Sequence, residues 1–215
     1  AAWNWFRSYL PGRSQQVSIE NVVYEVAHLL YGVPQGSVLG PNKNCIYTLP
    51  IGEIIRSLGL QYSVYADDTQ VNLTFDLNNS DAALKKLNSC LSDIRTWILH
   101  NKLKINDDKT EFLLFSTPHA KSKLKDDHKL NVGNASIPTS STAKNLGVIF
   151  DSHMTMEKHV TSVCKSANFH LRNISSIRNV LTDSSAAQLV HSMITSRLDY
   201  CNSLLLGVQI GRAHV

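Results

Sequence analysis

The sequence predicts an α+β fold in which antiparallel strands are backed by helices and followed by a smaller helical region. Three observations predict it. Short runs that alternate polar and apolar residues, separated by turn signals, recur as far as Asp151. Between these strand-like runs, residues 84–98 carry apolar side chains at steps of three and four, as amphipathic helices do. Beyond Asp151 helical patterns replace the strand patterns.

Composition places the chain among ordinary globular proteins. Of its 215 residues 43% are hydrophobic and 18% charged, which is typical of a globular protein and not of a disordered one. The net charge of +4 suits a polyanionic partner without requiring one. Four separated cysteines without a C-x-x-C pair favour a reduced, intracellular chain over a disulfide or zinc framework. No apolar run has the length of a membrane span and no signal peptide is visible, so we expect no membrane partner.

The first elements are a helix and two strands. Apolar residues at helical spacing predict a helix end over residues 3–10, which Pro11-Gly12 stops. Residues 13–19 and 22–30 predict two strands joined near Glu20-Asn21.

A loop rich in glycine and proline follows at Gly32–Pro41. Three glycines and two prolines in ten residues make a rigid loop whose bare backbone a ligand can approach. Gln35 has the hydrogen-bonding groups to read a sugar or base edge, and Ser37 is a candidate helix cap. The alternative is a purely structural loop. Helical character resumes at Ile51, and Gly59 ends it.

Two adjacent carboxylates stand in the segment Tyr65-Ala66-Asp67-Asp68. The runs 60–65 and 69–75 predict a hairpin with this pair at its turn. Adjacent carboxylates repel each other, and a divalent cation relieves that repulsion. Mg²⁺ prefers one or two carboxylates together with phosphate oxygens. The alternative is an ordinary turn, because aspartate is a common turn residue.

The remaining elements run from sheet to helices. Ser80 or Asp81 is expected to cap the helix at 84–98, which should pack across the sheet that carries the acidic pair. Residues 102–115 predict strands, and Gly133-Asn134 a hairpin. Residues 121–129 are a charge run and are expected to form a solvated loop. A strand is expected at 146–150 and a helix at 160–174. A second helix is expected to begin after a cap at Thr182 or Asp183.

The loop 32–41 and the acidic segment 65–68, in this order, resemble the reverse transcriptase of non-LTR (LINE-class) retrotransposons. Four flanking segments extend the likeness to about Val208: 5–10, 101–112, 145–151 and 196–202. Within the enzyme class, a group II intron maturase is the weaker resemblance. The resemblance implies a partial polymerase palm at 1–152 and a helical thumb-like region at 153–209. Residues 210–215 resemble a translated sequencing adapter and are expected to be a non-native tail.

The resemblance also implies an RNA-directed DNA polymerase that adds deoxynucleotides to a primer 3′ end. Its partners would be an RNA template, a DNA primer and deoxynucleoside triphosphates, in the nucleus and cytoplasm. Asp67 would be the direct ligand in a two-metal Mg²⁺ site, with Asp68 in support. The family carries a further metal-binding aspartate earlier in its sequence, and residues 1–31 contain none. We therefore expect a fragment with little or no activity alone.

By the same resemblance Lys109 falls on a motif whose lysine is proposed to protonate the departing pyrophosphate. The alternative is a solvated lysine between Asp108 and Glu111. Three residues are expected to line the nucleotide and template–primer surface and the primer end: Gln35, Gly36 and Tyr65.

Asn42-Lys43-Asn44 departs from the apolar helix that the family has after its Gly-Pro, which indicates a decayed copy or a sequence error. Two other classes therefore stay open. One is a non-enzymatic retrotransposon remnant that binds nucleic acid weakly through a basic thumb, with Lys158, Lys165 and Arg172 among its cations. The other is an unfolded translation product.

Overall fold

A computed structural model of the chain describes residues 2–9, 11–30, 32, 36–123, 128–133 and 135–207. The fold is mixed helix and sheet, as the sequence predicts. It divides into two compact units, Ala1–Asn72 and Leu73–Val215, and each is described by itself. The division into a palm at 1–152 and a thumb at 153–209 stays a prediction.

The first unit opens with helix α1 (Ala2–Tyr9) and an interrupted hairpin. Strand β1 (Arg13–Gln15) pairs with β4 (Ala27–Leu29), and β2 (Ser18–Ile19) pairs with β3 (Val22–Val23), both antiparallel. Glu20 and Asn21 form the turn with φ of 49° and 69°, the left-handed region that such two-residue turns need. The predicted hairpin is present, but its strands are broken into shorter ladders.

Helix α2 (Gly40–Ser57) and the hairpin of β5 (Gln61–Tyr65) and β6 (Asp68–Asn72) complete this unit. The helix runs without a break through Asn42-Lys43-Asn44, so the expectation that helical character resumes only at Ile51 is wrong. The predicted cap at Ser37 is also wrong, because Leu39 is the N-cap residue and has no side-chain hydrogen bond. Gly59 ends the helix at φ 62°, as predicted.

The second unit is built around helix α3 and a three-stranded sheet. Its elements are α3 (Ser80–His100), β7 (Phe112–Leu113), α4 (Pro118–Lys121), β8 (Lys129–Val132), β9 (Ala135–Ser140), β10 (Thr142–Asn145) and β11 (Val148–Asp151). The sheet order is β7-β9-β8, with β9 antiparallel to β8 and parallel to β7. Leu84, Leu87 and Leu91 of α3 pack against buried Leu130 and Val132. This packing lies within the second unit, and the expected packing on the acidic hairpin stays a prediction.

Three predicted boundaries in this unit are wrong. Helix α3 has Asn79 as its N-cap residue, because a 3₁₀ turn over Leu77–Asn79 leads into it before Ser80 and Asp81. Of the strands predicted over 102–115 only β7 (Phe112–Leu113) forms. None forms at the start of this range, because Lys102 turns left-handed at φ 58° and the Leu103 amide bonds back to the Ile98 carbonyl.

Residue Leu146 belongs to the turn of a β10–β11 hairpin, with φ 45°, and the strand begins only at Val148. The predicted hairpin at Gly133-Asn134 is present as β8–β9, although Asn134 itself lies outside the described residues.

The chain continues as helices, as predicted. These are α5 (Glu157–Ser176), α6 (Asp183–Val190), a π-helical turn (His191–Thr195) and α7 (Ser196–Asp199). Thr182 caps α6, since its hydroxyl accepts a hydrogen bond from the Ser185 amide at 3.2 Å. Among the described residues, none of the helices combines the length and apolar character that crossing a bilayer requires.

Candidate active site

The acidic pair lies at a two-residue turn of the first unit. Tyr65 pairs with Asp68, so only Ala66 and Asp67 connect the two strands. Ala66 has φ 55°, which allows the chain to reverse within two residues. Asp67 therefore projects from the turn itself, while Asp68 is the first residue of β6. The predicted hairpin is confirmed, but β6 ends at Asn72.

Both carboxylates are exposed. Neither the Asp67 nor the Asp68 carboxylate makes a hydrogen bond or ion pair with any residue that the structure describes. Tyr65 beside them is 67% exposed. Oxygen atoms without protein partners suit a hard cation such as Mg²⁺. The pair supplies two carboxylates, and the described part of the chain contains no group of three His, Cys, Asp or Glu side chains that could hold a metal.

Helix α2 supports the hairpin from behind. The Tyr62 ring of β5 lies directly over Gly52, where a Cβ atom would stand 2.3 Å from the Tyr62 hydroxyl oxygen. The Arg56 guanidinium lies 5.3 Å from the centroid of the same ring. Only a residue without a side chain permits this approach, so Gly52 sets how closely the acidic hairpin sits on α2.

The loop at 32–41 is described only in part. Gln35 lies outside the described residues, together with Val33 and Pro34. Gly36 is exposed, with φ 78° and open space around its Cα. Two hydrogen bonds anchor the loop. The Arg13 guanidinium donates to the Gly32 carbonyl at its start, and the Tyr9 hydroxyl donates to Ser37 Oγ further along.

The Lys43 ammonium lies 3.1 Å from the centroid of the Tyr9 ring. This cation–π contact shows how the polar start of α2 is accommodated.

Lys109 belongs to the second unit, where it lies in a 3₁₀ turn over Asp107–Lys109 and is exposed. Arg95 forms an ion pair with Asp107 at 2.9 Å. Glu111 accepts a hydrogen bond at 3.0 Å from the backbone amide of Lys144. Because Lys109 and the acidic pair belong to different units, each is described only in its own surroundings.

Helix α5 presents a basic face. Lys158, Lys165 and Arg172 recur every seven residues, so they share one side of the helix, and all three are exposed. The opposite side buries His159 and Ile174. The arrangement is a row of cations on a solvent-facing surface.

A family model described as "Reverse transcriptase (RNA-dependent DNA polymerase)" matches residues 2–150. The chain belongs to the reverse transcriptase family. The match includes the partly described loop, the acidic turn and Lys109, and it confirms the predicted family.

The curated relatives of this reverse transcriptase chain are transposon proteins. It is 27% identical over 159 residues to the probable RNA-directed DNA polymerase from transposon X-element of Drosophila melanogaster, covering 73% of this chain and 17% of the relative. It is 27% identical over 170 residues to the RNA-directed DNA polymerase from mobile element jockey of Drosophila funebris, with the same coverage.

These relatives confirm the resemblance to a non-LTR retrotransposon reverse transcriptase. The chain spans about a sixth of their length. No solved structure matches it.

Tyr200 and Asp151 make contacts in this reverse transcriptase chain that were not predicted from the sequence. Tyr200 donates a hydrogen bond to the Leu146 carbonyl at 2.6 Å, and its ring lies against Gly147. This contact joins two of the segments that carry the family resemblance. Asp151 is buried and accepts hydrogen bonds from the start of α5. An aspartate between a strand and a helix is the only sequence signal for it, and that signal is common.

Proposed function

We propose that this chain is part of the polymerase domain of an RNA-directed DNA polymerase that adds deoxynucleotides to a primer 3′ end. The observation that carries the proposal is the Asp67–Asp68 turn, two exposed carboxylates without described protein partners in a chain of the reverse transcriptase family. The RNA template, DNA primer and deoxynucleoside triphosphates belong to the proposal, as does action in the nucleus and cytoplasm.

Asp67 is the direct metal ligand in this proposal, because it lies in the turn itself, outside the strand ladder, and is exposed. Asp68 supports the same site from the first position of β6. Bound Mg²⁺ supplies Lewis-acid stabilisation of the attacking and leaving oxygens. The same proposal gives the exposed Tyr65 a role beneath the primer end, and gives Gln35 and Gly36 contacts to the nucleotide and the template–primer.

A complete metal site needs one more carboxylate than the pair supplies. The resemblance implies a further aspartate, and none occurs in residues 1–31. We therefore expect the 215-residue chain by itself to show little or no primer extension on an RNA template with Mg²⁺ and deoxynucleoside triphosphates. Template-dependent extension by the purified chain, lost in an Asp67→Asn variant, would refute this expectation.

The metal site is testable without activity. Mn²⁺ added to the isotope-labelled chain is expected to broaden the backbone amide signals of residues 65–69 first in an NMR titration. The double variant Asp67→Asn, Asp68→Asn removes both ligand charges and should abolish this selective broadening. Asp108→Asn is the matched control, since Asp108 is also exposed and lies in another acidic pair. Equal broadening in the double variant and the control would disprove the site.

The basic face of α5 favours a second candidate function, non-enzymatic binding of nucleic acid by a thumb-like region at 153–209. Three exposed cations in one row fit a phosphate backbone. We expect salt-sensitive RNA binding that does not depend on Mg²⁺.

Changing Lys158, Lys165 and Arg172 to alanine should lower the slope of log affinity against log salt by about 2, because each contact to a single strand contributes ~0.7. The control is a triple alanine variant at three other exposed lysines: Lys104, Lys121 and Lys123. An unchanged slope in the α5 variant would exclude this surface.

A further inference from the structure

Lys109 is surrounded in sequence by acidic residues. Asp107 and Asp108 precede it, and Glu111 follows. Carboxylates that pair with an ammonium compete with any phosphate for it. A lysine in this position is more available to phosphate when its acidic neighbours are bound elsewhere.

Arg95 engages the first of these neighbours. Its Nη1 lies 2.9 Å from Asp107 Oδ1, and the two side chains are only 29% and 32% exposed. The same nitrogen donates to the Val132 carbonyl at 3.4 Å. The guanidinium therefore connects α3, the turn of Lys109 and the end of β8 at one point.

Gly133 makes room for this guanidinium. A Cβ atom at Gly133 would lie 2.5 Å from Arg95 Cζ, a distance that atoms cannot reach without displacement. Gly133 also has φ 62°, a conformation that side chains disfavour. The hairpin turn is thus shaped to hold Arg95 against Asp107.

Glu111 is engaged on the other side of Lys109. Its Oε2 accepts the hydrogen bond from the Lys144 amide on β10 at 3.0 Å. Two of the three acidic neighbours are therefore used by the fold. Lys109 itself is exposed and forms no ion pair with a described residue, and Asp108 is likewise exposed.

We infer that Arg95 is a positioning residue for Lys109: by holding Asp107, it fixes the 3₁₀ turn and keeps that carboxylate from neutralising the ammonium, which stays available to pyrophosphate. The inference rests on the proposed function together with the role that the family resemblance implies for Lys109, protonation of the departing pyrophosphate. Arg95 itself does not touch the reacting groups in this arrangement.

Lysine footprinting of the 215-residue chain tests the inference. Acetylation rates of individual lysines are measured by mass spectrometry at increasing concentrations of inorganic pyrophosphate, without metal. Pyrophosphate should protect Lys109 at lower concentration than Lys104, an exposed lysine of the same segment. In Arg95→Met the released Asp107 competes, and the half-protecting concentration should rise about two- to fivefold, the range of a single exposed ion pair.

The double variant Arg95→Met, Asp107→Asn separates charge competition from a merely structural role. It lacks both Arg95 and the competing carboxylate, so protection of Lys109 should return to the wild-type concentration. Far-UV circular dichroism confirms that each variant is folded. If Arg95→Met does not fold, Arg95→Lys replaces it. This variant should give a smaller rise in the same direction, because the lysine ammonium keeps the positive charge but lacks the planar guanidinium that fits a carboxylate.

Unchanged protection in the folded Arg95 variant, or a loss that Asp107→Asn does not restore, would overturn the positioning role. Absence of selective protection in the wild-type chain would overturn the pyrophosphate role of Lys109 and the inference with it. The Mn²⁺ titration of Asp67 and Asp68 reports on the metal site independently of either outcome.

Discussion

Replacing Asp151 by asparagine tests the junction between strand β11 and helix α5. Asp151 Oδ1 accepts hydrogen bonds from the backbone amides of His153 and Thr155, both at 3.0 Å. Oδ2 accepts from the Met156 amide at 2.8 Å and from the Thr155 hydroxyl at 3.1 Å. The asparagine amide group has a single acceptor oxygen and presents hydrogen-bond donors where Oδ2 stands.

The size of the effect follows from this change. The Thr155 hydroxyl can rotate away, but the Met156 amide cannot, and Met156 is only 2% exposed. A buried donor without a partner costs about 1–3 kcal/mol. Loss of a negative charge at the start of α5 costs a further ~0.3–1 kcal/mol. We expect Asp151→Asn to lower the free energy of unfolding by about 2 kcal/mol at pH 7.

The effect should depend on pH in one direction. Burial alone would raise the pKa of Asp151, but the hydrogen bonds from Thr155, Met156 and His153 outweigh it and hold this pKa below its ordinary value. The carboxylate therefore stabilises the fold fully above about pH 4, the ordinary aspartate pKa. Its contribution is lost as the pH falls through the lower value of the folded chain, so the wild-type and variant stabilities converge in acid.

Urea unfolding followed by far-UV circular dichroism, at pH 7 and at stepwise lower pH, measures both effects. Asp108→Asn is the control, since Asp108 is exposed and substitution there should change stability by less than about 0.5 kcal/mol. An Asp151→Asn effect no larger than the control, or one that grows on acidification, would refute the reasoning.

Three further predictions concern other contacts. Gly52→Ala should lower the free energy of unfolding by about 1 kcal/mol in a urea titration. Overpacking against Tyr62 costs ~2 kcal/mol, and the gain in helix propensity returns ~1 kcal/mol. A stabilised variant would mean that the Tyr62 ring moves freely. Tyr200→Phe removes the hydrogen bond to the Leu146 carbonyl and should lower the free energy of unfolding by up to about 1 kcal/mol in the same urea transition. An unchanged free energy of unfolding would show that water replaces the Tyr200 hydroxyl. Cys90 is 0% exposed, and its thiol pKa is raised by burial and then by the charge of a nearby aspartate. In Ellman's assay it should therefore react only after denaturation, later than the other three cysteines. Four equally fast thiols would contradict this prediction.

Local patterns predicted the elements whose causes lie within a few residues. Glu20-Asn21 and the turn before Asp68 are such cases, as is the amphipathic helix α3. Strand lengths were predicted less well, because a short ladder ends where its partner ends. The strands expected over 102–115 do not form at the start of that range, because Lys102 closes helix α3 in a left-handed conformation that apolar alternation does not reveal.

The sequence by itself determined the family and the candidate chemistry, since the acidic turn and its flanking motifs are contiguous segments that can be recognised without coordinates. Only the tertiary structure decided which charged groups are available. It showed that Asp67 is without a partner among the described residues, whereas Asp107, in a similar Asp-Asp pair, is bound by Arg95. The physical reason is that pairing depends on distances between residues far apart in the chain, which sequence spacing does not contain.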